Sequence, residues 1–331
     1  MSDFVQQQHT VNAFSSSDSW VILSPIEQSI KQKIEAVGVP LKDWDIQINY
    51  GIKTGCNEAF IINTEKRNEI LANCKDEAER KRTEELIRPI LRGRDIKRYG
   101  YSWANLYLIA TFPARHYDIE QFPAVKSYLL SYAEEYLRNN GCGWVADNYL
   151  ADFCKQKLSQ TGKFITINGR ELTINGKKEK ARKKTSNKWF ETQDSISYWE
   201  DFSKPKMLWK RVGSILRFCY NDNETLGLDS TCFATGENIE FICCVLNSPM
   251  GHYLLKDAPK TGTGDLLVSV QAIEPIQIPQ VGLETNSEFK KLLESLIKTG
   301  SPSNEKEISR KVLKLYDLSL DEQSYIETNF T

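Results

Sequence analysis

The stretch DIQINYGIKTGCNEAFIIN, residues 45–63, sets the pattern from which the fold is predicted. Apolar and polar residues alternate over its first part, which is typical of a strand with one buried face. A loop containing Gly51 and Gly55 interrupts this pattern, and AFIIN then favours a second strand. The sequence therefore predicts a β-hairpin with a long glycine-rich tip.

The tip of this hairpin also carries a cation and a hydroxyl group, Lys53 and Thr54. A nucleotide-binding P-loop needs its lysine and threonine after the second glycine, at the start of a helix. Here both residues precede Gly55 and a predicted strand follows, so the pattern disfavours nucleotide binding. Two interpretations remain open: glycines that only permit a turn, and a loop in which Lys53 and Thr54 contact the backbone of DNA.

Helix and strand patterns alternate along the rest of the chain. Ser24, Pro25 and Glu27 supply the N-cap, the first-turn proline and the capping-box glutamate of a helix. FITING and ELTING, residues 164–169 and 171–176, contain Asn-Gly turn signals and predict one hairpin. The other predicted elements are a charged helix over 64–91, a buried strand over 105–112, a helix over 122–139, strands within 206–212, 214–220 and 265–270, a helix over 237–256, and short helices over 284–330.

The composition limits the kinds of partner that the chain can bind. Its 331 residues are 40% hydrophobic, which is enough for one large domain or two of ordinary size. The 43 Lys and Arg are balanced by 44 Asp and Glu, so the formal net charge is −1. No global positive field attracts nucleic acid or anionic lipid, and any site for a polyanion must be local.

Cysteine usage and hydropathy predict the compartment. The 8 cysteines include no CxxC pair, and the first residues lack the charged and apolar regions of a signal peptide. The apolar run FICCVL, residues 241–246, is far shorter than the roughly 20 residues of a membrane span. We therefore expect reduced thiols, a cytoplasmic location and no membrane partner.

Catalytic signatures are weak in this sequence. Methyl transfer needs a glycine-rich cofactor loop after a strand and an NPPY-type tetrapeptide, and neither is present. The clearest ExK pair, Glu79 and Lys81, lies in a predicted helix, which disfavours a PD-(D/E)xK nuclease. The 3 histidines show no zinc-ligand spacing. We predict no catalytic residue and no metal site.

Two clusters combine basic and aromatic residues, a combination that suits contact with phosphates. The first, residues 88–103, contains Arg92, Arg94, Lys97 and Arg98 and ends in tyrosines and a tryptophan. The second, residues 177–188, holds seven cations against one acid: Lys177, Lys178, Lys180, Arg182, Lys183, Lys184 and Lys188. Charge runs are also common on solvated faces, and that alternative stays open.

Six blocks of sequence resemble, in the same order, the TaqI-like C-terminal specificity domain. They include GIKTGCNEAFIIN, ELIRPILRGRDIKRYGYSWANLYLI, KWFETQDSISYWEDFSKPKMLW and FATGENIEFICCVLNSPMGHYLL. That domain is the target-recognition part of adenine-specific DNA methyltransferases and of type IIG restriction-modification enzymes. The closing ISRKVLKLYDLSLDEQSYIE is similar to the helical tail of those enzymes.

The resemblance and the element pattern together imply an architecture. We expect an α+β fold, with a mixed or antiparallel sheet, flanking helices and a C-terminal helical appendage. Residues 21–280 are expected to form the recognition domain, 281–331 the helical segment, and 1–20 an arm or linker remnant. The methyltransferase core and any nuclease domain of the family are missing, so we expect a piece of a longer enzyme or a separate specificity subunit.

In that family the specificity domain closes over DNA opposite the methyltransferase domain, which flips out an adenine. The resemblance therefore implies two partners, double-stranded DNA and a methyltransferase domain or subunit. It implies no cofactor in this chain, since S-adenosylmethionine, with Mg²⁺ as a further candidate, belongs to the full enzyme. The expected DNA-binding residues are Lys53, Thr54, Asn57, Arg92, Arg94, Lys97, Arg98, Lys177, Lys178, Lys180, Arg182, Lys183, Lys184 and Lys188.

Two other functions remain open on the sequence alone. One is an endonuclease whose metal-binding carboxylates come from distant segments. The other is a protein-docking module of a modification complex, in which residues 284–330 grip a partner subunit. The leading prediction is a non-catalytic domain that recognises a DNA sequence.

Overall fold

The computed structural model describes residues 23–330. The predicted arm, residues 1–20, lies outside the described residues. Within them the fold is α+β, with a four-stranded antiparallel sheet, a four-stranded mixed sheet, several two-stranded pairs and a C-terminal helical region, in agreement with the expected fold class.

The first part of the chain, up to the second basic cluster, contains the following elements. They are α1 (Pro25–Val37), β1 (Gly38–Pro40), β2 (Ile46–Tyr50), α2 (Asn57–Phe60), β3 (Ile61–Asn63), α3 (Thr64–Ala72), α4 (Glu77–Leu86), β4 (Ile87–Leu91), β5 (Leu106–Ile109), α5 (Pro123–Leu129), α6 (Glu134–Asn139), α7 (Gly143–Leu158), β6 (Thr166–Ile167), β7 (Arg170–Glu171), β8 (Thr173–Ile174) and β9 (Lys177–Lys178).

The second part begins with strand β10 and ends in three helices. Its elements are β10 (Lys206–Lys210), β11 (Val212–Gly213), β12 (Phe218–Asn221), β13 (Leu226–Gly227), β14 (Thr231–Gly236), α8 (Ile239–Asn247), α9 (Pro249–Leu254), β15 (Leu266–Leu267), α10 (Val270–Ile273), β16 (Gln277–Pro279), α11 (Leu283–Thr299), α12 (Pro302–Leu315) and α13 (Leu320–Asn329). Short 3-10 turns occur at Leu41–Asp43, Gly93–Asp95, Pro113–Arg115, Ile119–Gln121 and Trp199–Ser203.

The first core forms between an antiparallel sheet and the helices that follow it in sequence. The strand order is β12-β10-β14-β2, and Trp209 and Phe218 are paired neighbours that are both fully buried. Every residue of α8 is buried, because the helix is apolar apart from Glu240 and Asn247 and packs between the sheet and the C-terminal helices. Asn247 ends α8, and its side chain pairs with both backbone groups of Phe218 at 2.7 and 3.0 Å.

The C-terminal helices share this first core. Phe289 and Leu293 of α11 and Val312 of α12 are buried in the same cluster as Ile30 of α1 and Phe241 of α8. The predicted division at residue 280 therefore falls inside a continuous apolar cluster, and it stays a prediction as a domain boundary.

Two carboxylates tie α1 to the C-terminal part of the chain. Glu322 accepts from Ser29 at 2.6 Å and from Lys33 at 2.7 Å, and Glu27 accepts from Lys256 at 2.8 Å. Burial opposes the charge of Glu322, but the hydrogen bonds from Lys33 and Ser29 prevail and lower its pKa to about 2. The hydrogen bond from Lys256 likewise lowers the pKa of Glu27 to about 2.

These pKa values predict an acid transition. A carboxyl whose folded pKa is depressed stabilises the fold above its unfolded pKa, and loses that contribution as pH falls through the folded value. We expect the free energy of unfolding to decline between about pH 5 and pH 2, by about 3 kcal/mol for Glu322. In urea titrations, Glu322→Gln should be less stable than wild type at pH 7 and should decline less over this range. Parallel pH profiles for the two proteins would contradict this.

The second core surrounds the mixed sheet. Its strand order is β13-β4-β5-β3, with β13 parallel to β4 and the remaining pairs antiparallel. Ile62, Leu86, Ile90 and Leu108 are buried in it. Leu208 and Phe233, from the opposite face of the first sheet, belong to the same cluster, so the first sheet contributes to both cores.

The hairpin predicted over residues 45–63 is wrong. β2 pairs with β14 in the first sheet, whereas β3 pairs with β5 in the second. Residues 59 and 60, the start of the predicted second strand, belong to the helical turn α2 (Asn57–Phe60), and only 61–63 are extended. The glycine segment therefore joins two sheets instead of turning between paired strands.

Two other predicted elements are also corrected. The single helix expected over 64–91 is divided into α3 and α4 at Asn73, and its last residues form strand β4. The single hairpin expected over 164–176 is two hairpins, β6-β7 and β8-β9. Each Asn-Gly pair makes its own turn, with positive φ at Asn168, Gly169, Asn175 and Gly176. Their apolar residues form a third, smaller core with α6 and α7.

Candidate nucleic-acid interface

The glycine segment between β2 and α2 is fixed against the loop that precedes β14. Ile52 donates to the carbonyl of Gly227 at 2.7 Å and accepts from the amide of Asp229 at 2.9 Å. A Cβ on Gly51 would lie 2.0 Å from the carbonyl oxygen of Leu228, so only glycine fits there. Gly55 has φ +77°, the left-handed region. These glycines are needed by the backbone, and Lys53 between them is exposed.

Thr54 points inward instead of towards solvent. It is 1% exposed, and its hydroxyl donates to Asn57 at 2.6 Å and accepts from the amide of Cys56 at 3.1 Å. Thr54 and Asn57 thus stabilise the turn into α2. Of the three predicted loop residues, Lys53 and Asn57 are exposed and Thr54 is buried.

Lys53 lies in a concavity that also contains carboxylates, and we call it the Lys53 hollow. The backbone carbonyl of Lys53 accepts from the amides of Gln193 and Asp194 at 3.1 and 3.3 Å. Burial raises the pKa of Asp194, and the charge of Lys53 opposes that shift. The residues that line the hollow are Tyr50, Gly51, Lys53, Asp194, Ser195, Ile196, Tyr198, Arg211 and Asp229.

The next segment, Arg92 to Asp95, is closed by an internal ion pair. Arg92 holds Asp95 through Nε at 3.0 Å and Nη2 at 2.9 Å. Burial alone would raise the pKa of Asp95, but the hydrogen bonds from Arg92 keep it below its usual value. Gly93 donates to the Ser230 hydroxyl at 2.9 Å, which brings this turn against the loop that also holds Ile52. Arg92 is therefore engaged, whereas Arg94 is exposed.

Arg94 lies in a second concavity, which we call the Arg94 cleft. Its lining residues are Gly93, Arg94, Ile96, Lys210, Ser214, Ile215 and Arg217, three cations and no acid. Trp209 and Phe218 are the last residues that pair between β10 and β12. Lys210 directly follows Trp209, and Arg217 directly precedes Phe218. Among the described residues, Arg94, Lys210 and Arg217 have no carboxylate partner within 4.0 Å in any of the recorded ion pairs.

Lys210, Arg211 and Arg217 were not among the predicted contacts. The sequence predicts two strands over the segment KRVGSILR, residues 210–217, and a strand pattern does not single out its cations. The usable signal is their position, since cations at both ends of a loop that joins two paired antiparallel strands lie at the same end of the sheet.

Arg182 is buried and does not face solvent. It is 5% exposed, and its guanidinium donates to four backbone carbonyls, those of Leu158 at 2.7 Å, Thr54 at 2.8 Å, Glu191 at 2.7 Å and Trp189 at 2.8 Å. Burial lowers its pKa to about 10, so it stays charged at neutral pH. Its place in the predicted contact set is therefore corrected: it joins residues 177–188 to the glycine segment.

The other cations of residues 177–188 are exposed, and some have partners within the chain. Lys178 pairs with Glu171 at 2.6 Å, and both Lys178 and Lys180 lie over the ring of Phe164. Lys188 donates to the carbonyl of Tyr117 at 3.4 Å. Lys177, Lys183 and Lys184 are exposed.

The side chain of Arg98 contacts other protein groups, whereas that of Lys97 is exposed. The guanidinium of Arg98 donates to the carbonyl of Asn247 at 2.6 Å and pairs with Glu305 of α12 at 2.7 Å. Lys97 lies in a turn, where its amide donates to the carbonyl of Gly100 at 2.8 Å, and its side chain is exposed.

The fold thus brings three distant segments next to one another. The glycine segment contacts residues 227–231 on one side and Arg182 on the other. The same loop also contacts the Arg92 turn. The amide of Leu228 donates to the carbonyl of Leu91 at 2.9 Å, and the amide of Gly93 donates to the hydroxyl of Ser230 at 2.9 Å. Lys53, Arg94 and the run after Arg182 therefore belong to connected parts of the molecule.

The carboxylate of the ExK pair has a structural role. Glu79 is fully buried and accepts from the amides of Lys75 and Ala124, both at 2.9 Å, so it caps α5. Within residues 23–330, no group of three or more His, Cys, Asp or Glu could hold a metal ion. No helix in this part of the chain is long and apolar enough to cross a membrane.

No family model matches the chain, and no curated protein matches it. Among solved structures, the chain is similar to the type IIL restriction-modification enzyme MmeI in complex with DNA, with a TM-score of 0.49 and 9% identity over 88% of this chain and 36% of that one. It is also similar to the type IIG restriction endonuclease BpuSI, with a TM-score of 0.46 and 11% identity over 91% of this chain and 33% of that one. The chain thus spans about a third of each enzyme. At these scores neither likeness assigns an activity, and the expected TaqI-like family stays a prediction.

Proposed function

We propose that the chain is a target-recognition domain that binds double-stranded DNA within an adenine-specific restriction-modification enzyme and carries no catalytic residues itself. The observation that supports this proposal is the Arg94 cleft. Three cations from two segments line it, no acid faces them, and the chain as a whole is nearly neutral. A local concentration of unpaired cations is what a phosphate backbone requires.

The proposed contacts differ from those expected from sequence. Arg92, Arg98, Thr54 and Arg182 hold protein groups, so we assign them positioning roles. The proposed contact residues are Lys53, Asn57, Arg94, Lys97, Lys177, Lys178, Lys180, Lys183, Lys184, Lys188, Lys210, Arg211 and Arg217.

The two concavities suit different parts of a duplex. The charged residues of the Arg94 cleft are all cations, which attract phosphates without regard to sequence. The Lys53 hollow combines Lys53 and Arg211 with Asp194 and Asp229. Carboxylates repel phosphates but accept from the amino group of cytosine, so we assign base reading to this hollow.

The catalytic part of such an enzyme lies outside this chain in the proposal. A methyltransferase domain or subunit that carries S-adenosylmethionine would face the opposite side of the duplex. The protein-docking and endonuclease alternatives have no observation that favours them over DNA binding.

The proposed function predicts salt-dependent binding of a duplex. Fluorescence anisotropy with a labelled duplex at low salt should give measurable binding, with a slope of log K against log salt of about −0.9 for each phosphate contacted. Incubation of the same protein with plasmid and Mg²⁺ should leave the plasmid intact. Failure to bind any duplex would contradict the proposal, and cleavage would favour the endonuclease.

A further inference from the structure

The Arg94 cleft contains an apolar side chain that packs with neither of the nearby cores. Ile215 is 59% exposed, and it lies in the loop between β10 and β12. The side chain of its neighbour Leu216 packs against the first core, and that of Ile215 points away from the core into solvent. We infer that Ile215 is a wedge that inserts between base pairs of a bound duplex; this inference rests on the proposed function.

The surroundings of Ile215 identify the ligand class. Single exposed apolar residues are common and carry no meaning alone. Here, however, the cleft also holds the exposed Arg94, Lys210 and Ser214 and the half-buried Arg217, while Ile96 is buried. A surface for an apolar protein partner would continue into further apolar residues. A partner that touches Ile215 also touches three cations. A DNA duplex fits both requirements, because its backbone is anionic and the faces of its stacked bases are apolar.

The loop that carries Ile215 is anchored on both sides, as a wedge requires. Before the tip, β11 pairs with β15, Arg211 donates to Ser230 at 3.0 Å, and Val268 donates to Arg211 at 2.8 Å. After it, Phe218 donates to Asn247 Oδ1 at 3.0 Å. Unstacking a base step opposes insertion, so a loosely held loop would be pushed aside instead of entering the stack.

Insertion of this kind is known for apolar side chains, isoleucine among them, of proteins that bind the minor groove and also place Arg and Lys in that groove. The cations in this cleft flank Ile215 within one concavity. The expected result is local unstacking of one base step and a bend in the duplex away from the protein.

The test uses the complete chain and a duplex that wild type retains from a random-sequence pool. 2-Aminopurine replaces each adenine in turn, because its fluorescence rises when it unstacks. Wild type should raise the emission at one step, and Ile215→Leu should keep that rise. Ile215→Ala should lose it, with affinity lower by about tenfold and an unchanged salt slope.

The outcomes separate the wedge from the proposed function. A rise in emission that persists in bound Ile215→Ala overturns the wedge. Binding by wild type without a rise at any position also overturns it, while DNA binding itself stands. If wild type retains no duplex from the pool, both the wedge and the proposed function fail.

Discussion

Replacing Arg94, Lys210 and Arg217 together by alanine is expected to weaken duplex binding by about 100-fold at low salt. These cations line one cleft that has no acid, and no recorded ion pair in the described residues uses them. Each would therefore neutralise a phosphate in the complex and release its counterions. Fluorescence anisotropy with the duplex retained by wild type measures the change, and urea titration checks that the fold is unaffected.

A matched control separates the cleft from net charge. Lys31, Lys66 and Arg310 are also exposed cations, but each pairs with a glutamate of its own helix: Glu35, Glu69 and Glu307. Replacing these three by alanine changes the net charge by the same amount. We expect affinity close to wild type. If both triple variants lose affinity equally, the loss reflects total charge, and the cleft has no special role.

Replacing Arg182 by alanine is expected to lower the free energy of unfolding by about 3–5 kcal/mol. The substitution removes the donor for four backbone carbonyls, those of Leu158, Thr54, Glu191 and Trp189. It also removes the guanidinium beside the ring of Phe60, 5.0 Å from its centroid. Urea titration measures the loss, and DNA affinity should fall as well, although Arg182 is buried.

Arg182→Lys is the control for this prediction. A lysine retains the charge but not the planar fork that reaches carbonyls in different directions. We expect its stability to lie between those of wild type and Arg182→Ala. Arg182→Ala with wild-type stability would show that the four carbonyls find other donors, and that Arg182 does not hold residues 177–188 against the glycine segment.

Local features of the fold were predictable from sequence. The capping box of Ser24 and Glu27 forms at the start of α1, because its chemistry involves residues only three apart. The helix predicted over 237–256 is divided at Ser248 and Pro249, where proline begins α9 and the serine hydroxyl caps it. Both Asn-Gly pairs turn the chain, as their tolerance of positive φ indicates.

Pairing between distant strands was not predictable. The alternation in residues 46–50 indicates a strand with two different faces, but it does not name a partner. β2 pairs with β14, almost two hundred residues away, and Gly51 permits the close contact with Leu228 that redirects the chain. The predicted hairpin assumed a local partner, whereas tertiary contacts chose a distant one.

The site was predicted only in part, for a similar reason. A run of cations indicates a charged segment, yet it does not show which member turns inward. Arg182 is buried because carbonyls from three segments converge on it, and sequence does not reveal that convergence. Conversely, Lys210 and Arg217 come from a segment that the sequence assigns to two strands, and folding places them beside Arg94.

The salt dependence of duplex binding tests most directly whether separated cations form one DNA-binding surface. Log K is measured against log salt for wild type, for Lys53→Ala and for the Arg94, Lys210 and Arg217 triple variant. We expect the slope to become shallower by about 0.9 for the single variant and by about 2.7 for the triple variant. Slopes identical to wild type in both variants would show that these cations do not contact the duplex, and would contradict the proposed surface.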